Sequence, residues 1–182
     1  MFTDNRSKQI IFTAHCIHNQ NSISDGTADY PACIKPVVEL LAASNVGVVQ
    51  LPCPELNCLG LDRGNINGAN SPVVVENTRI RKELLQDEAR AKLNALVQNV
   101  VYQIEEYTKH GFEIKGIVGI NRSPSCGVET TSDNNEEVPG SGVFMQTLHD
   151  ELTAKNIDIK FVGIKVTEIK EALGKINELL KK

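Results

Sequence analysis

The chain has 182 residues, of which 41% are hydrophobic and 23% charged, an ordinary globular composition. Its formal net charge of −4 provides no overall attraction to a nucleic-acid backbone, so we expect no nucleic-acid partner. The polar first residues run into a short apolar stretch, and no apolar run approaches the roughly 18 residues of a membrane helix. We therefore expect one domain over residues 1–182, with no signal peptide and no membrane partner, in the cytoplasm.

The predicted elements alternate between strand and helix along the chain. Short apolar runs rich in β-branched residues indicate strands, and apolar residues at helical spacing indicate helices. In chain order, we predict a strand at 9–14, a helix at 33–44, a strand at 46–51, a helix at 79–109, a strand at 114–120, a helix at 142–155, a strand at 159–164 and a helix at 167–181. The Gly- and Asn-rich stretch 59–77 and the acidic stretch 129–141 are predicted as loops, the second a mobile loop or lid.

This alternation predicts an α/β domain with a parallel sheet and helices on both of its faces. Strands that are buried on both faces have continuous apolar sequences, as these four segments do. We therefore predict a three-layer Rossmann-like or flavodoxin-like fold with a mainly parallel four-stranded sheet and the strand order 2-1-3-4. A nucleotide-binding Rossmann enzyme is set aside, because no G-x-G-x-x-G follows the first strand and no Walker motif is present.

Three of the five cysteines follow predicted strands at the point where each strand ends. Cys16, Cys53 and Cys126 come after the first, second and third strands. Because the carboxyl ends of parallel strands lie at one edge of a sheet, where ligands bind, we expect these three thiols to lie together. Cys33 and Cys58 are interpreted as small buried side chains. The odd number of cysteines argues against a complete disulfide framework.

Three thiols are compatible with more than one cofactor. A [4Fe–4S] cluster held by three cysteines keeps one iron free to bind substrate as a Lewis acid. Zinc with the same three cysteines and a water is the rival, and His15 or His18 could complete a closed zinc site. The spacing of the cysteines does not choose between cluster and zinc.

The residues around the cysteines add polar groups to this edge. Glu55 lies in the segment LPCPEL and is expected to bring a carboxylate close to the cysteines. The alternative is that Glu55 is a solvated acid in a loop, with no role in the site. In the segment NRSPSCG, Arg122 supplies a cation and Ser123 and Ser125 supply hydroxyls, although Ser-Pro also favours a turn role for Ser123. Gly127 is expected to let the backbone approach a bulky ligand closely.

These motifs resemble those of the thiouracil desulfidase family. The family pattern is a cysteine after the first strand, then Cys-Pro-Glu, then Ser-Pro-Ser-Cys-Gly. Here the pattern matches Cys16, residues 53–55 and residues 123–127, and the resemblance spans roughly residues 10–173. The last two motifs are specific when they occur together in this order.

The resemblance implies an enzyme, a cluster-dependent desulfidase. It would remove sulfur from a thiolated pyrimidine or a related thiocarbonyl compound, a small-molecule substrate, and release hydrogen sulfide without net redox change. The [4Fe–4S] cluster would be held by Cys16, Cys53 and Cys126. The family's acid–base glutamate falls on Glu55 and its catalytic serine on Ser123.

The substrate-binding residues that we expect are Asp25, Arg122 and Ser125. The chain departs from the family near the first of these, because Cys16 is followed by Ile-His-Asn instead of Leu-Leu-Gly, and only Asp25-Gly26 remains of a Tyr-Asp-Gly element. The segment after Glu55 differs as well. The cofactor therefore carries over from the family more safely than the substrate, and the extra C-terminal domain of the related enzymes that act on thiolated tRNA is not expected.

Two rival functions come from other classes. One is a zinc or iron–sulfur binding module without catalysis, such as a sulfur carrier. The other is an enzyme that stores sulfur as a persulfide on a nucleophilic cysteine. The second needs a base near one thiol, and His15 beside Cys16 is the neighbour of that type in the sequence. Successive residues of a strand point to opposite faces, which weakens that pairing.

Overall fold

The computed structural model describes residues 2–181. The strands are β1 (Gln9–Thr13), β2 (Gly47–Gln50), β3 (Glu113–Ile120), β4 (Thr130–Asp133), β5 (Glu136–Pro139) and β6 (Phe161–Ile164). The α-helices are α1 (His15–His18), α2 (Lys35–Ala42), α3 (Pro54–Leu59), α4 (Val73–Leu84), α5 (Asp87–Lys109), α6 (Val143–Ala154) and α7 (Ile169–Lys181). Short 3₁₀-helices lie at Gln20–Ser22, Gly68–Asn70 and Val166–Glu168.

The main sheet is parallel, with the strand order β2-β1-β3-β6. Among the predicted strands this is the order 2-1-3-4, so both the Rossmann-like α/β class and the strand order are confirmed. α5 packs against β3, and α7 packs against β3 and β6, with helices on both sides of the sheet. Because the strands are parallel, their carboxyl ends lie at one edge.

The centre of this sheet is buried, whereas its β2 edge is open. Phe12 on β1 and Ile117 on β3 are fully buried, as continuous apolar strand sequences predict. β2 pairs on one side with β1, and Val48 on this strand is exposed. The expectation that all four strands are buried on both faces is therefore wrong for β2, which lies at the edge of the sheet.

The prediction of a mobile loop or lid at 129–141 is wrong. β4 and β5 form an antiparallel hairpin, and Asn134 and Asn135 make its two-residue turn. Both asparagines have positive φ, 50° and 64°, which this kind of hairpin turn requires and asparagine tolerates. Thr131 and Ser132 on β4 are buried, and the hairpin packs against α4.

The helix predicted at 79–109 is two helices, α4 and α5, and the first begins at Val73 inside the predicted loop. The chain leaves helical geometry at Gln86, which has ψ 149°, and Asp87 and Glu88 then occupy the first turn of α5, where acidic side chains are favourable. The apolar stripe continues across the break, so its periodicity does not reveal the break. Within residues 2–181, no helix has both the length and the apolar character needed to cross a membrane.

Candidate functional site

The three strand-end cysteines line one cavity of about 230 Å³ at the carboxyl edge of the sheet. Cys16 lies in α1, immediately after β1. Cys53 follows β2 and is the N-cap of α3, and Cys126 lies in the loop after β3. The parallel topology thus brings together thiols that are far apart in the sequence.

Hydrogen-bond donors approach two of the three sulfur atoms. The Leu56 N–H donates to Cys53 Sγ (3.5 Å), and Arg63 Nη2 lies 3.9 Å from the same sulfur. The Ser125 hydroxyl lies 3.5 Å from Cys126 Sγ. Such donors stabilise a thiolate, and around iron–sulfur clusters they also tune the metal.

Burial raises the pKa of the Cys16 thiol to about 12 and the pKa of the Cys53 thiol to about 11. Burial is also the main reason that the pKa of Cys126 lies well above its usual range, and the neighbouring Cys16 and Cys53 raise it further. The metal-free thiols are therefore protonated at neutral pH. A metal centre that binds them as thiolates releases these protons.

This environment does not suit a nucleophilic cysteine. Reactive thiols lie in partly exposed, electropositive surroundings that lower their pKa, whereas burial makes a thiol inert. The expected base is also engaged elsewhere, because the His15 ring contacts the side chains of Asn19 and Gln50. His18 contacts Thr13 instead. The geometry thus weakens the persulfide hypothesis.

Glu55 is buried in the first turn of α3, with 7% of its surface exposed, so the interpretation as a solvated loop acid is wrong. Ser125 Oγ donates to its Oε1 (2.7 Å). Ser24 Oγ and Arg63 Nε each donate to its Oε2 (3.2 Å). The carboxylate lines the cavity of the three thiols, and donors fix both of its oxygens.

Arg63 is the residue of this site that sequence reasoning missed. It is 2% exposed and forms the buried ion pair with Glu55. In the sequence it is one cation within a Gly- and Asn-rich stretch, and the spacing carries no signal of burial. Ser24 was also missed, because its contact with Glu55 joins residues that are distant in the sequence.

The two serines of the Ser-Pro-Ser-Cys-Gly motif have different contacts. Ser123 Oγ accepts from the backbone N–H groups of Ser125 (3.3 Å) and Cys126 (3.0 Å), so this serine does stabilise the turn. Its hydroxyl also lies 3.3 Å from Ser125 Oγ. Ser125 is buried against Glu55. The side chains of Ser123, Ser125 and Glu55 thus form a continuous chain along the cavity wall.

Of the other two predicted substrate-binding residues, the structure places Arg122 at the cavity but not Asp25. Arg122 lines the cavity, is exposed, and has a positive φ of 70°. Its backbone N–H donates to Thr130 O (3.0 Å), which ties this loop to the β4–β5 hairpin. Asp25 is exposed and does not line the cavity; it borders a separate space of about 40 Å³ beside Glu76. The structure therefore does not bring Asp25 to the thiols.

Two glycines bring the Cys126 loop close to the sheet. A Cβ on Gly127 would overlap Thr130 O and lie 2.9 Å from Ser123 O, and Gly127 does not line the cavity. The expectation that Gly127 makes room for a ligand is therefore wrong, because it makes room for the neighbouring backbone. Gly119 on β3 has the same role, since its Cβ would overlap the Cys126 carbonyl oxygen. A glycine within a strand sequence is the signal for such a close approach.

The donor chemistry of the cavity fits an iron–sulfur cluster. It offers three thiols, N–H and O–H groups directed at sulfur, and a buried guanidinium that offsets negative charge on the ligands. Within residues 2–181, no group of three or more His, Cys, Asp or Glu side chains is arranged so that it could hold a metal ion as it stands. The residues that would hold a cluster are Cys16, Cys53 and Cys126.

Comparison with known proteins gives one similarity that covers most of the chain. The chain is 28% identical over 157 residues to Uncharacterized protein MJ0003 of the archaeon Methanocaldococcus jannaschii, and the match covers 86% of each protein. No protein-family model matches the chain. No solved structure matches it. The name of that relative states no activity.

Proposed function

We propose that this protein is a non-redox desulfidase that converts a thiocarbonyl into a carbonyl. Its substrate would be a thiolated pyrimidine or a related small molecule, and its cofactor a [4Fe–4S] cluster held by Cys16, Cys53 and Cys126. The observation that carries the proposal is that the buried carboxylate of Glu55 lines the same cavity as the three thiols. The resemblance to the thiouracil desulfidases points to the same reaction.

The reaction is a hydrolysis and needs no electron donor. Water supplies the oxygen of the new carbonyl, and sulfur leaves as hydrogen sulfide with both protons of that water, so carbon keeps its oxidation state. When bound, the cluster would supply an iron without a protein ligand, a Lewis acid that attracts the substrate sulfur and makes its carbon more electrophilic. The chain's own residues must then move the protons.

Glu55 is suited to accept a proton from the attacking water. Ser125 donates to one carboxylate oxygen, and Ser24 and Arg63 donate to the other. These contacts fix the plane of the carboxylate, and a fixed orientation is what a general base requires. General acid–base catalysis of this kind contributes about 10²- to 10⁴-fold to the rate.

Ser123 and Arg122 are suited to orient the substrate. Because Ser123 Oγ already accepts two backbone N–H groups, its hydroxyl proton is available to a ring nitrogen or oxygen of the substrate, or to Ser125. The guanidinium of Arg122 lines the cavity and makes no side-chain hydrogen bond or ion pair with the rest of residues 2–181. It can therefore donate to a carbonyl oxygen of the ring.

The first test is anaerobic reconstitution with iron and sulfide, followed by incubation with 2-thiouracil and 4-thiouracil. We expect about four irons and four sulfides per chain, as a [4Fe–4S] cluster requires, and catalytic release of hydrogen sulfide with formation of uracil. Glu55→Gln is the matched variant and should retain the cluster but lose turnover. A reconstituted protein that releases no sulfide from any thiocarbonyl compound would contradict the proposal.

A second candidate function is a cluster- or zinc-binding sulfur carrier without catalysis. The buried Arg63–Glu55 ion pair favours it, because this pair gives Glu55 a structural partner that needs no chemistry. The same experiment separates the two functions. A carrier would bind sulfide in stoichiometric amount and release no product over many equivalents of substrate.

A further inference from the structure

The guanidinium of Arg63 is enclosed at the junction of the site. Nη1 donates to the carbonyl oxygens of Leu61 (2.7 Å) and Gly60 (3.3 Å), and Nη2 donates to the carbonyl of Ser22. Nε donates to Glu55 Oε2 (3.2 Å). Each nitrogen therefore has an acceptor, which is the condition for burying a charge at 2% exposure.

The backbone of Arg63 is also anchored from outside the site. Its φ of 54° is in the left-handed region, which a side chain of this size rarely occupies without support. Arg79 on α4 supplies that support by donating to the Arg63 carbonyl (2.7 Å), and Glu76 holds Arg79 in turn (2.6 Å). The loop of residues 60–72 thus presents the guanidinium to the cavity in one orientation.

We propose that Arg63 is a positioning residue of the active site, which fixes the carboxylate of Glu55 and places a positive charge 3.9 Å from Cys53 Sγ. The catalytic part of this inference rests on the proposed desulfidase function. The predicted effect of the Arg63 charge on the reduction potential of the cluster does not depend on that function. The predicted coupling between Arg63 and Glu55 in folding stability depends neither on that function nor on the cluster. No contact of Arg63 depends on a substrate.

Lysine cannot replace arginine in this role. The rigid fork of a guanidinium reaches Glu55, the Ser22 carbonyl and the loop carbonyls together, whereas an ammonium is a single point charge. Arg63→Lys therefore keeps the charge near Cys53 but loses the orientation of Glu55. Arg63→Gln loses both, so the two variants separate charge from geometry.

The first experiment uses the metal-free protein and needs no activity. Thermal unfolding is compared for Arg63→Gln, Glu55→Gln and the double variant. Removing one member of a buried pair leaves the other charge uncompensated, so each single variant should lower Tm by about 10 °C. The double variant should be more stable than the sum of the two losses predicts. Additive losses would overturn the inference.

The second experiment measures the reduction midpoint potential of the reconstituted cluster. Loss of the cation beside Cys53 should make the potential of Arg63→Gln more negative, whereas Arg63→Lys should stay close to the wild type. Asn65→Ala is the matched control, because Asn65 holds the same loop through Glu76 (2.9 Å) without touching the site. Equal potentials in all three variants would overturn the placement of the charge.

The third experiment is steady-state kinetics with the thiolated pyrimidine that the wild type uses. Both Arg63 variants should lower kcat by about 100-fold, the cost of a misplaced catalytic group, while KM changes less than threefold. Asn65→Ala should retain most of kcat. If Asn65→Ala loses as much as Arg63→Lys, Arg63 only supports the loop and the inference is wrong.

The failures of the two proposals are distinguishable. A wild type that turns over no thiocarbonyl compound defeats the proposed function, whereas the coupling between Arg63 and Glu55 in the metal-free protein still decides whether this pair fixes the carboxylate. An active wild type whose Arg63→Lys variant keeps full kcat defeats the positioning role alone.

Discussion

Two segments flank Glu55, and they are held in place by different means. The loop after β3, residues 123–127, is fixed mainly by its own backbone. The Gly127 N–H donates to Ser123 O (3.2 Å), and the Ile120 N–H donates to Cys126 O (2.9 Å). Gly127 lets this loop pack directly against Thr130.

The segment after α3, residues 60–72, is fixed mainly by charged side chains. Arg63 anchors it from inside through Glu55, and Arg79 with Glu76 anchors it from outside. One wall of the cavity is thus fixed by close backbone packing and the other by charges. Substitutions should therefore affect the two walls differently.

The largest expected effect is loss of the proposed cluster. It should be the same for Cys126, which lies in the loop of residues 123–127, and for Cys53, whose sulfur lies 3.9 Å from Arg63 of the other segment. Cys53→Ser and Cys126→Ser each remove one ligand, so the iron content after anaerobic reconstitution should fall from about four per chain to near zero. Cys33→Ser and Cys58→Ser are the controls and should retain full iron. Loss of iron in either control would show that the ligand set is wrong.

The next effect is on catalysis at the residue where the walls meet. Glu55→Gln keeps the size of the side chain but removes the base, so kcat should fall by about 10²- to 10⁴-fold. The visible spectrum of the cluster should be unchanged, because Glu55 is not one of the proposed ligands. Full activity of this variant in sulfide-release assays would remove Glu55 from the mechanism.

A smaller effect tests the wall built from backbone packing. In Gly127→Ala the new methyl group overlaps the Thr130 carbonyl, so the loop must shift, at a cost of about 3 kcal/mol in the free energy of unfolding. Gly174→Ala is the control, since a Cβ there meets nothing within 4 Å and alanine favours the helix α7. Urea unfolding of the metal-free proteins measures both. Equal stability of the two variants would contradict the packing argument.

The smallest effect tests the wall held by charges and depends on pH. Hydrogen bonds from Arg79 hold the pKa of Glu76 below its ordinary value of 4.5. A carboxyl group with a lowered folded pKa stabilises the fold above its unfolded pKa, and this contribution is lost as the pH falls through the folded value. Glu76→Gln should therefore lower the free energy of unfolding by about 1 kcal/mol at pH 7, and the difference should shrink below pH 4.5.

The control for this prediction is Glu88→Gln. Glu88 also forms a short ion pair, with Lys92 at 2.7 Å, but this pair lies in solvent, so the change should be smaller at every pH. If the Glu76 and Glu88 variants respond alike to pH, the charged anchor of residues 60–72 has no stabilising effect of its own. Urea unfolding at pH 7 and pH 3.5 provides the comparison.

The same contrast explains how much the sequence could predict. The four strands of the main sheet and the meeting of Cys16, Cys53 and Cys126 follow from apolar runs and from parallel topology, which are regular patterns. Arg63 could not be predicted, because its burial depends on acceptors contributed by distant segments, Ser22 and Glu55 among them. Contacts between such distant segments leave no regular pattern in the sequence.

Three of the wrong predictions have different causes. Asn134 and Asn135 were available as turn residues, but the acidic residues around them suggested a loop instead of a hairpin. The break between α4 and α5 is hidden because buried residues such as Leu84 and Leu93 keep the helical spacing across it. Asp25 was predicted from the short Asp-Gly motif alone, and such a motif does not determine which way its loop faces.

The order of the strands also determines when the cavity can exist during biosynthesis. β1 and β2 are made first and are followed closely by Cys16 and Cys53, but β3 emerges only after the long helices α4 and α5 and then pairs with β1. Pairing of such distant segments is slow. A nascent chain therefore displays two of the three cavity thiols before the third arrives, and any metal centre that needs all three must form after β3 has docked.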